Sequence, residues 1–193
     1  MLDFERATTN LARLVSGLTD EQLAASTPCE YYTLGDLVQH VDGLSVAFTW
    51  AARKSPESRG SAGPSGDASR LGPGWRTRIP EQLAAMAQAW RDPDSWEGMT
   101  RVGGVDLPAP AAAGFGLNEV VVHGWDISRA SSQDFDADPQ AVAACIGLVS
   151  QDVPREGIFA AAVDVPDDAP PLDRLIGLTG RDPGWSRGLA PHR

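Results

Sequence analysis

Apolar side chains recur at steps of three and four along much of the chain, the spacing that places them on one face of a helix. A first helix should be capped by Asp3. A second should begin after Thr33, with Asp36 completing a capping box, and should end near Arg53. Between the two, the residues from Thr19 to Gln22 predict a short helical turn. The apolar faces of the two long helices are Phe4, Ala7, Leu11, Leu14 and Leu18, and Leu34, Leu37, Val41, Leu44 and Phe48.

The same periodicity and familiar end signals predict four more helices in the second part of the chain. Pro80 suits the first position of a helix, Asp138 suits an N-cap, and Gly180 suits a helix end. The predicted limits are Pro80 to Asp92, Ala111 to Ala130, a helix that begins after Asp138, and Leu172 to Thr179.

The remaining segments lack helical periodicity. Residues 55–78 are rich in Ser, Gly and Pro and should form a long mobile loop, whereas residues 95–110 should be irregular or form a short hairpin. The predicted fold is therefore all-α: a four-helix bundle with long connections and short extra helices, in a single domain over residues 1–193.

Composition narrows the function classes. The formal net charge of −10 argues against nucleic acid and anionic membrane surfaces as partners. No window is apolar and long enough to span a membrane, and no secretory signal precedes the first helix. Two isolated cysteines, Cys29 and Cys145, do not form a disulfide framework. We therefore expect a cytoplasmic protein, either a monomer or a homodimer.

Candidate chemistry centres on the histidines, of which the chain has three. His192 lies near the C-terminus and is expected to belong to a frayed tail. Glu119 and His123 are four residues apart, so a helix would place both side chains on one face, close enough to share an ion. The run from Val120 to Val122 suits a strand instead, and a strand would separate the two residues by roughly 13 Å. A shared ion therefore requires a helix here.

His40 belongs to the predicted second helix, beside apolar positions. A core histidine with a single hydrogen-bond partner would explain it. Alternatively, it supplies a third ligand from a facing helix, the usual way in which helix bundles build metal sites. Spacing alone leaves both interpretations open.

Three segments resemble a known family. The segment from Thr27 to Val41, TPCEYYTLGDLVQHV, is similar to the pattern T-P-C-x-x-W-T-V-x-D-L-L-x-H-V of actinobacterial metal-binding proteins related to mycothiol-dependent maleylpyruvate isomerase, with Tyr32 in place of Trp. EVVVHGWD, which ends at Asp126, resembles the same family's E-x-x-x-H-x-W-D signature. Residues 172–183 resemble its C-terminal motif. The isomerase itself continues into a further domain that has no counterpart here.

The resemblance implies a DinB-like bundle that holds one divalent metal ion through His40, Glu119 and His123. Zinc is the expected ion, with nickel, iron or manganese as alternatives. The family context implies mycothiol as a co-substrate, with an electrophilic small molecule as the other partner. Asp126 is a candidate to orient a ligand histidine, or else to pair with Arg129.

Three functions follow from this reading. The first is a metal- and thiol-dependent transferase or isomerase that uses an activated thiolate. The second is a non-catalytic metal- or ligand-binding protein, and the third is a hydrolase that uses metal-bound water. Cys29, next to the first histidine motif, is expected either to pack or to act at the metal, and Trp125 is expected to pack.

Overall fold

The computed structural model describes residues 1–60, 63, 65–150 and 159–187. Within these ranges the chain forms six α-helices, several short 3₁₀ turns and one β-hairpin. The helices are α1 (Glu5–Ser16), α2 (Leu34–Arg53), α3 (Trp75–Ala89), α4 (Ala109–Ser131), α5 (Pro139–Val149) and α6 (Pro171–Leu178). The strands are β1 (Met99–Val102) and β2 (Val105–Pro108).

The first four helices form the bundle. Helices α1 and α2 each pack against both α3 and α4, while α5 packs on the outside of α4 and α6 packs on α5. The fully buried side chains between them include Leu11, Leu14, Leu37, Leu44, Leu83 and Leu117. This arrangement confirms the predicted all-α four-helix bundle, because the apolar stripe of each helix faces a partner.

The start of α2 follows the predicted capping box. The Thr33 side chain accepts a hydrogen bond from the Asp36 backbone N–H, and the Asp36 carboxylate accepts one from the Thr33 backbone N–H. These two bonds satisfy donors that a helix start otherwise leaves unpaired. They fix the first turn of the helix that carries His40.

The predicted start of the third helix at Pro80 is wrong. Helix α3 begins five residues earlier, at Trp75, after Gly74 adopts a left-handed conformation with φ of 72°. The proline ring leaves the Arg76 carbonyl without its helical donor, and the Ser16 hydroxyl lies 3.5 Å from that oxygen. Burial of the Trp75 side chain outweighs the lost bond.

The segment predicted as one loop over residues 55–78 is correspondingly shorter. It contains 3₁₀ turns at Pro56–Gly60 and Ala68–Arg70, and Leu71 is buried in the core. Its mobility stays a prediction. The hairpin is one of the two structures expected for residues 95–110, and the Gly103–Gly104 turn, with φ of 56° and 85°, suits its tight two-residue connection. Among the described helices, none has both the length and the apolar character needed to cross a membrane.

Candidate metal centre

The facing sides of α2 and α4 bring His40, Glu119 and His123 together. One carboxylate oxygen, Glu119 Oε2, lies 3.2 Å from His40 Nε2 and 3.1 Å from His123 Nε2. One ligand-type atom from each residue lies within 4.8 Å of the other two. The two imidazole rings meet edge to face, with centroids 5.0 Å apart.

This spacing fits a metal ion. A tetrahedral ion with bonds of about 2.0–2.2 Å separates its ligand atoms by roughly 3.3–3.6 Å, close to the spacing between Glu119 and each histidine. Two nitrogens and one oxygen also match the donor set of open, three-ligand zinc sites. The residues present therefore fit one divalent ion with a position left for a further ligand.

Helix α4 continues through the valine run, so the strand interpretation of this segment is wrong. Val120, Val121 and Val122 are all buried, because α4 packs against α1, α2 and α5 on different sides. Burial of the three side chains outweighs the preference of valine for strands. Glu119 and His123 consequently lie one turn apart on the same face.

Asp126 lies behind His123. It is fully buried, and its Oδ2 accepts a hydrogen bond of 3.0 Å from His123 Nδ1. Arg181, from the segment after α6, donates to the same oxygen at 3.1 Å. The alternative pairing with Arg129 is not formed, since that guanidinium donates to the Trp185 carbonyl instead. The Arg181–Asp126 pair thus fixes the ring of His123 with Nε2 directed at Glu119.

The charges of these groups are strongly coupled. Burial alone would raise the pKa of Glu119, but hydrogen bonds from His123 and His40 outweigh it and hold the pKa well below its usual range. Burial would likewise lower the pKa of His123, yet the bonds to Asp126 and Glu119 raise it to about 9. Without an ion, a proton on His123 therefore provides the positive charge that the carboxylates require.

A cleft of about 600 Å³ opens in front of the three residues. Its mouth carries Tyr31, whose side chain is almost wholly exposed, and its apolar wall includes Phe159 and Val163. Asn118 and Arg181 contribute polar surface. The centre is therefore accessible to a small molecule that has both apolar and polar parts.

Cys29 and Tyr32 line the same cleft. Burial, together with the nearby Asp126 charge, raises the pKa of the Cys29 thiol to about 11, which keeps it protonated near neutral pH. The Tyr32 ring lies 5.6 Å from His40, and its hydroxyl accepts a hydrogen bond from the Gly66 N–H. The tyrosine that replaces the tryptophan of the resembling family thus contacts both His40 and the loop that follows α2.

Two other expectations concern residues away from the centre. Trp125 is buried and packs, as predicted, whereas His192 lies outside the described residues. Sequence reasoning missed Asn118, Arg181 and the wall around Phe159. Arg181 stands in the C-terminal motif already noted, and that motif was the only available signal for it.

Comparisons with known proteins agree with this description. Residues 4–128 match the family model of the mycothiol maleylpyruvate isomerase N-terminal domain. The uncharacterized protein Rv0738 of Mycobacterium tuberculosis strain H37Rv is 26% identical over 189 residues, which cover 94% of this chain and 97% of that protein. The uncharacterized protein MT0763 of strain CDC 1551 matches equally.

Two solved structures share the fold. The crystal structure of the mycothiol-dependent maleylpyruvate isomerase has a TM-score of 0.53 and 17% sequence identity over 76% of this chain. A histidine-to-alanine mutant of it gives 0.55. In both comparisons the match spans 64% of the isomerase chain. With the family model matching well over half of its residues, the chain belongs to the family of the mycothiol maleylpyruvate isomerase N-terminal domain, whose fold is the DinB-like bundle.

Proposed function

We propose that this protein binds one divalent metal ion, zinc being the expected one, through His40, Glu119 and His123, and that it catalyses a mycothiol-dependent isomerisation or transfer. The observation that supports this most is the meeting of two imidazole nitrogens and a carboxylate oxygen at the floor of an open cleft. The choice of mycothiol as the thiol rests on the family to which the chain belongs, which is named after the mycothiol maleylpyruvate isomerase.

The chain's own residues have distinct roles in this proposal. His40, Glu119 and His123 would hold the ion and leave one of its coordination positions free. A thiol in that position would be stabilised as the thiolate by the charge of the ion. Asp126 and Arg181 hold the His123 ring in place, so that its Nε2 remains directed at the ion. Phe159 and Val163 cover one side of the cleft and shield an apolar part of the substrate from water. The thiolate would add to an electrophilic carbon: in isomerisation the new carbon–sulfur bond breaks again and the thiolate is expelled, whereas in transfer that bond stays and the electrophile's own leaving group, such as the halide of a haloarene, departs.

Cobalt substitution tests the proposal directly. Purified protein should hold close to one metal ion per chain, and the alanine variants of His40, Glu119 and His123 should each lose most of it. Addition of mycothiol to the cobalt-loaded protein should produce an intense near-ultraviolet band from sulfur bound to Co²⁺. Cys29→Ser is the matched control: it removes the protein's own thiol from the same cleft and should leave the band unchanged.

The outcomes separate the candidate functions. Full metal retention by all three alanine variants would show that the ion binds elsewhere. A fully loaded cobalt protein without a band would exclude direct thiolate binding and favour a water-activating or non-catalytic site. If the band forms but a haloarene is not consumed, the protein binds the thiol without transferring it to that electrophile.

A further inference from the structure

Asn118 is a buried polar residue of the cleft whose side-chain oxygen has no hydrogen-bond partner among the described residues. It precedes Glu119 on α4, is 3% exposed, and lines the cleft in front of the metal centre. Its side-chain oxygen Oδ1 is buried and accepts no hydrogen bond from the part of the chain that the structure describes. A buried acceptor without a partner destabilises a fold by about 1–3 kcal/mol, so its presence requires an explanation.

The fold does not explain an asparagine at this position. Asparagine is a poor helix former in the interior of a helix, and a leucine of similar size would avoid the unpaired oxygen. The neighbouring Leu117 and Val120 on α4 are buried apolar residues. The polar side chain therefore has no evident structural role among the described residues, which leaves the contents of the cleft as its partner.

Arg181, another polar side chain of the cleft, is largely occupied. Arg181 donates from Nε and one terminal nitrogen to Asp126, and from the other terminal nitrogen to the Thr179 carbonyl at 2.9 Å. It offers only donors. Among the described residues that line the cleft, the Asn118 oxygen is thus a buried acceptor that can take an N–H or O–H from a bound molecule.

We propose that Asn118 determines which thiols the centre accepts: its side-chain oxygen accepts a hydrogen bond from an N–H or O–H group on the ligand whose sulfur occupies the open metal position. This inference rests on the proposed function, since it assumes a thiolate at the metal. Asn118 selects thiols with a hydrogen-bond donor near the sulfur over equally large thiols without one.

Two thiols that differ in a single group test this. N-Acetylcysteamine carries an amide N–H two carbons from its sulfur, and 2-mercaptoethyl acetate has an ester oxygen in place of that N–H. Each is titrated into the cobalt-loaded protein, and the sulfur-to-cobalt band gives the dissociation constant. Wild-type protein should bind the amide about tenfold more tightly than the ester.

The variant Asn118→Leu should lose this preference while still binding cobalt and giving the band with both thiols. Tyr31→Phe is the matched control, because it removes a hydroxyl from the exposed mouth of the same cleft and should keep the tenfold preference. Without metal or thiol, Asn118→Leu should unfold at a urea concentration no lower than wild type, since it replaces an unpaired buried oxygen with an apolar side chain.

The possible results distinguish a failure of the Asn118 inference from a failure of the proposed function. Equal affinity of the wild-type protein for the two thiols, or a preference that persists in Asn118→Leu, would overturn the inference and leave the metal–thiolate proposal intact. A marked loss of stability in Asn118→Leu with an unchanged preference would assign Asn118 a structural role instead. If neither thiol produces a band in fully loaded protein that does give one with mycothiol, this inference fails and the proposed function stands; if mycothiol gives no band either, both fail.

Discussion

Asp126 shows at the residue scale how much the candidate centre depends on groups that do not touch the ion. It is fully buried, and its Oδ2 accepts hydrogen bonds from both His123 and Arg181. An amide at this position keeps the size and one acceptor but removes the negative charge that makes the histidine a better ligand. The partly buried Arg181 would also lose its counter-charge.

We therefore expect Asp126→Asn to weaken zinc binding by about 10- to 100-fold while the helix content persists. Competition with a chromophoric chelator measures the affinity, and circular dichroism reports the fold. Asp106→Asn is the control: this exposed residue pairs with Arg101 on the hairpin, and a surface pair contributes little. Equal zinc affinity of Asp126→Asn and wild type would show that Asp126 does not orient the ligand.

His123 makes the free energy of unfolding of the metal-free protein depend on pH. In the metal-free fold its pKa is about 9, compared with about 6.5 for an unfolded histidine. Between these values the native state holds a proton that the unfolded state releases. The stabilisation is therefore complete below about pH 6.5 and is lost as the pH rises toward 9.

The free energy of unfolding of metal-free protein should accordingly fall by roughly 1–3 kcal/mol between pH 6.5 and 8.5. Urea unfolding with a chelator present measures it. The window stops at pH 8.5 because burial raises the pKa values of Cys29 and Cys145 to about 11 and 12, which adds a further loss of stability above it. His123→Gln should show a much flatter profile, and an equally steep one would assign the slope to other groups.

The sequence allowed prediction of those residues of the candidate site that lie close together along the chain. Glu119 and His123 share a helical face by spacing alone, and the family resemblance added His40. The structure brings the three together, whereas ion binding stays a prediction. Arg181 could not be inferred from periodicity, because its partner Asp126 lies 55 residues away and their contact depends on how α6 and its following turn fold back.

At the scale of the secondary-structure elements, Gly116 of α4 lies directly against side chains of α2 and α3. A Cβ at Gly116 would lie 2.8 Å from the ring of Phe48 on α2 and 3.2 Å from Met86 of α3. The Phe48 ring is itself buried and cannot move aside without disturbing the bundle. The helices that carry His40 and Glu119 therefore meet closely only because residue 116 has no side chain.

Gly116→Ala should lower the free energy of unfolding by about 1–3 kcal/mol, despite the better helix propensity of alanine. The matched control is Gly147→Ala on α5, where a Cβ meets no atom of the described residues within 4 Å. That change should raise stability by about 0.5–1 kcal/mol through propensity alone. Denaturant unfolding of both variants measures the difference, and equal effects would contradict the close packing of α2 and α4.

Two helix starts agree with explicit caps in the sequence, whereas the first helix has Phe4 as its N-cap instead of the predicted Asp3, and burial overrides the prediction for α3. The capping box at Thr33 and the N-cap at Asp138 lie where they were predicted. The start of α3 was misplaced because proline favours a first helical turn, and the burial of Trp75 is visible only in the folded chain. Such errors arise when tertiary contacts outweigh a local preference.

At the scale of the whole molecule, the metal centre joins parts of the chain that are distant in sequence. His40 belongs to α2, Glu119 and His123 belong to α4, and Arg181 follows α6. The apolar core, however, is continuous among the described residues and does not include the three candidate ligands. The bundle should therefore remain folded without the ion, unlike small zinc domains that unfold when it is removed.

Because an ion held by the three candidate ligands would bind only the native arrangement of these segments, it should stabilise the fold by mass action. At free zinc 1,000 times its dissociation constant the gain is about 4 kcal/mol, which for a chain of this length corresponds to a rise in Tm of roughly 8–16 °C. Removal of the metal with a chelator should lower the Tm by that amount, and the protein should still unfold cooperatively from a helical state.

The variant His40→Gln is the control. Its Tm should show almost no response to zinc or chelator, since α2 then no longer contributes a ligand to the ion. If chelation abolishes the helical signal, the centre is structural and the apolar core is insufficient alone; if wild type and His40→Gln respond alike, zinc stabilises the protein at another place.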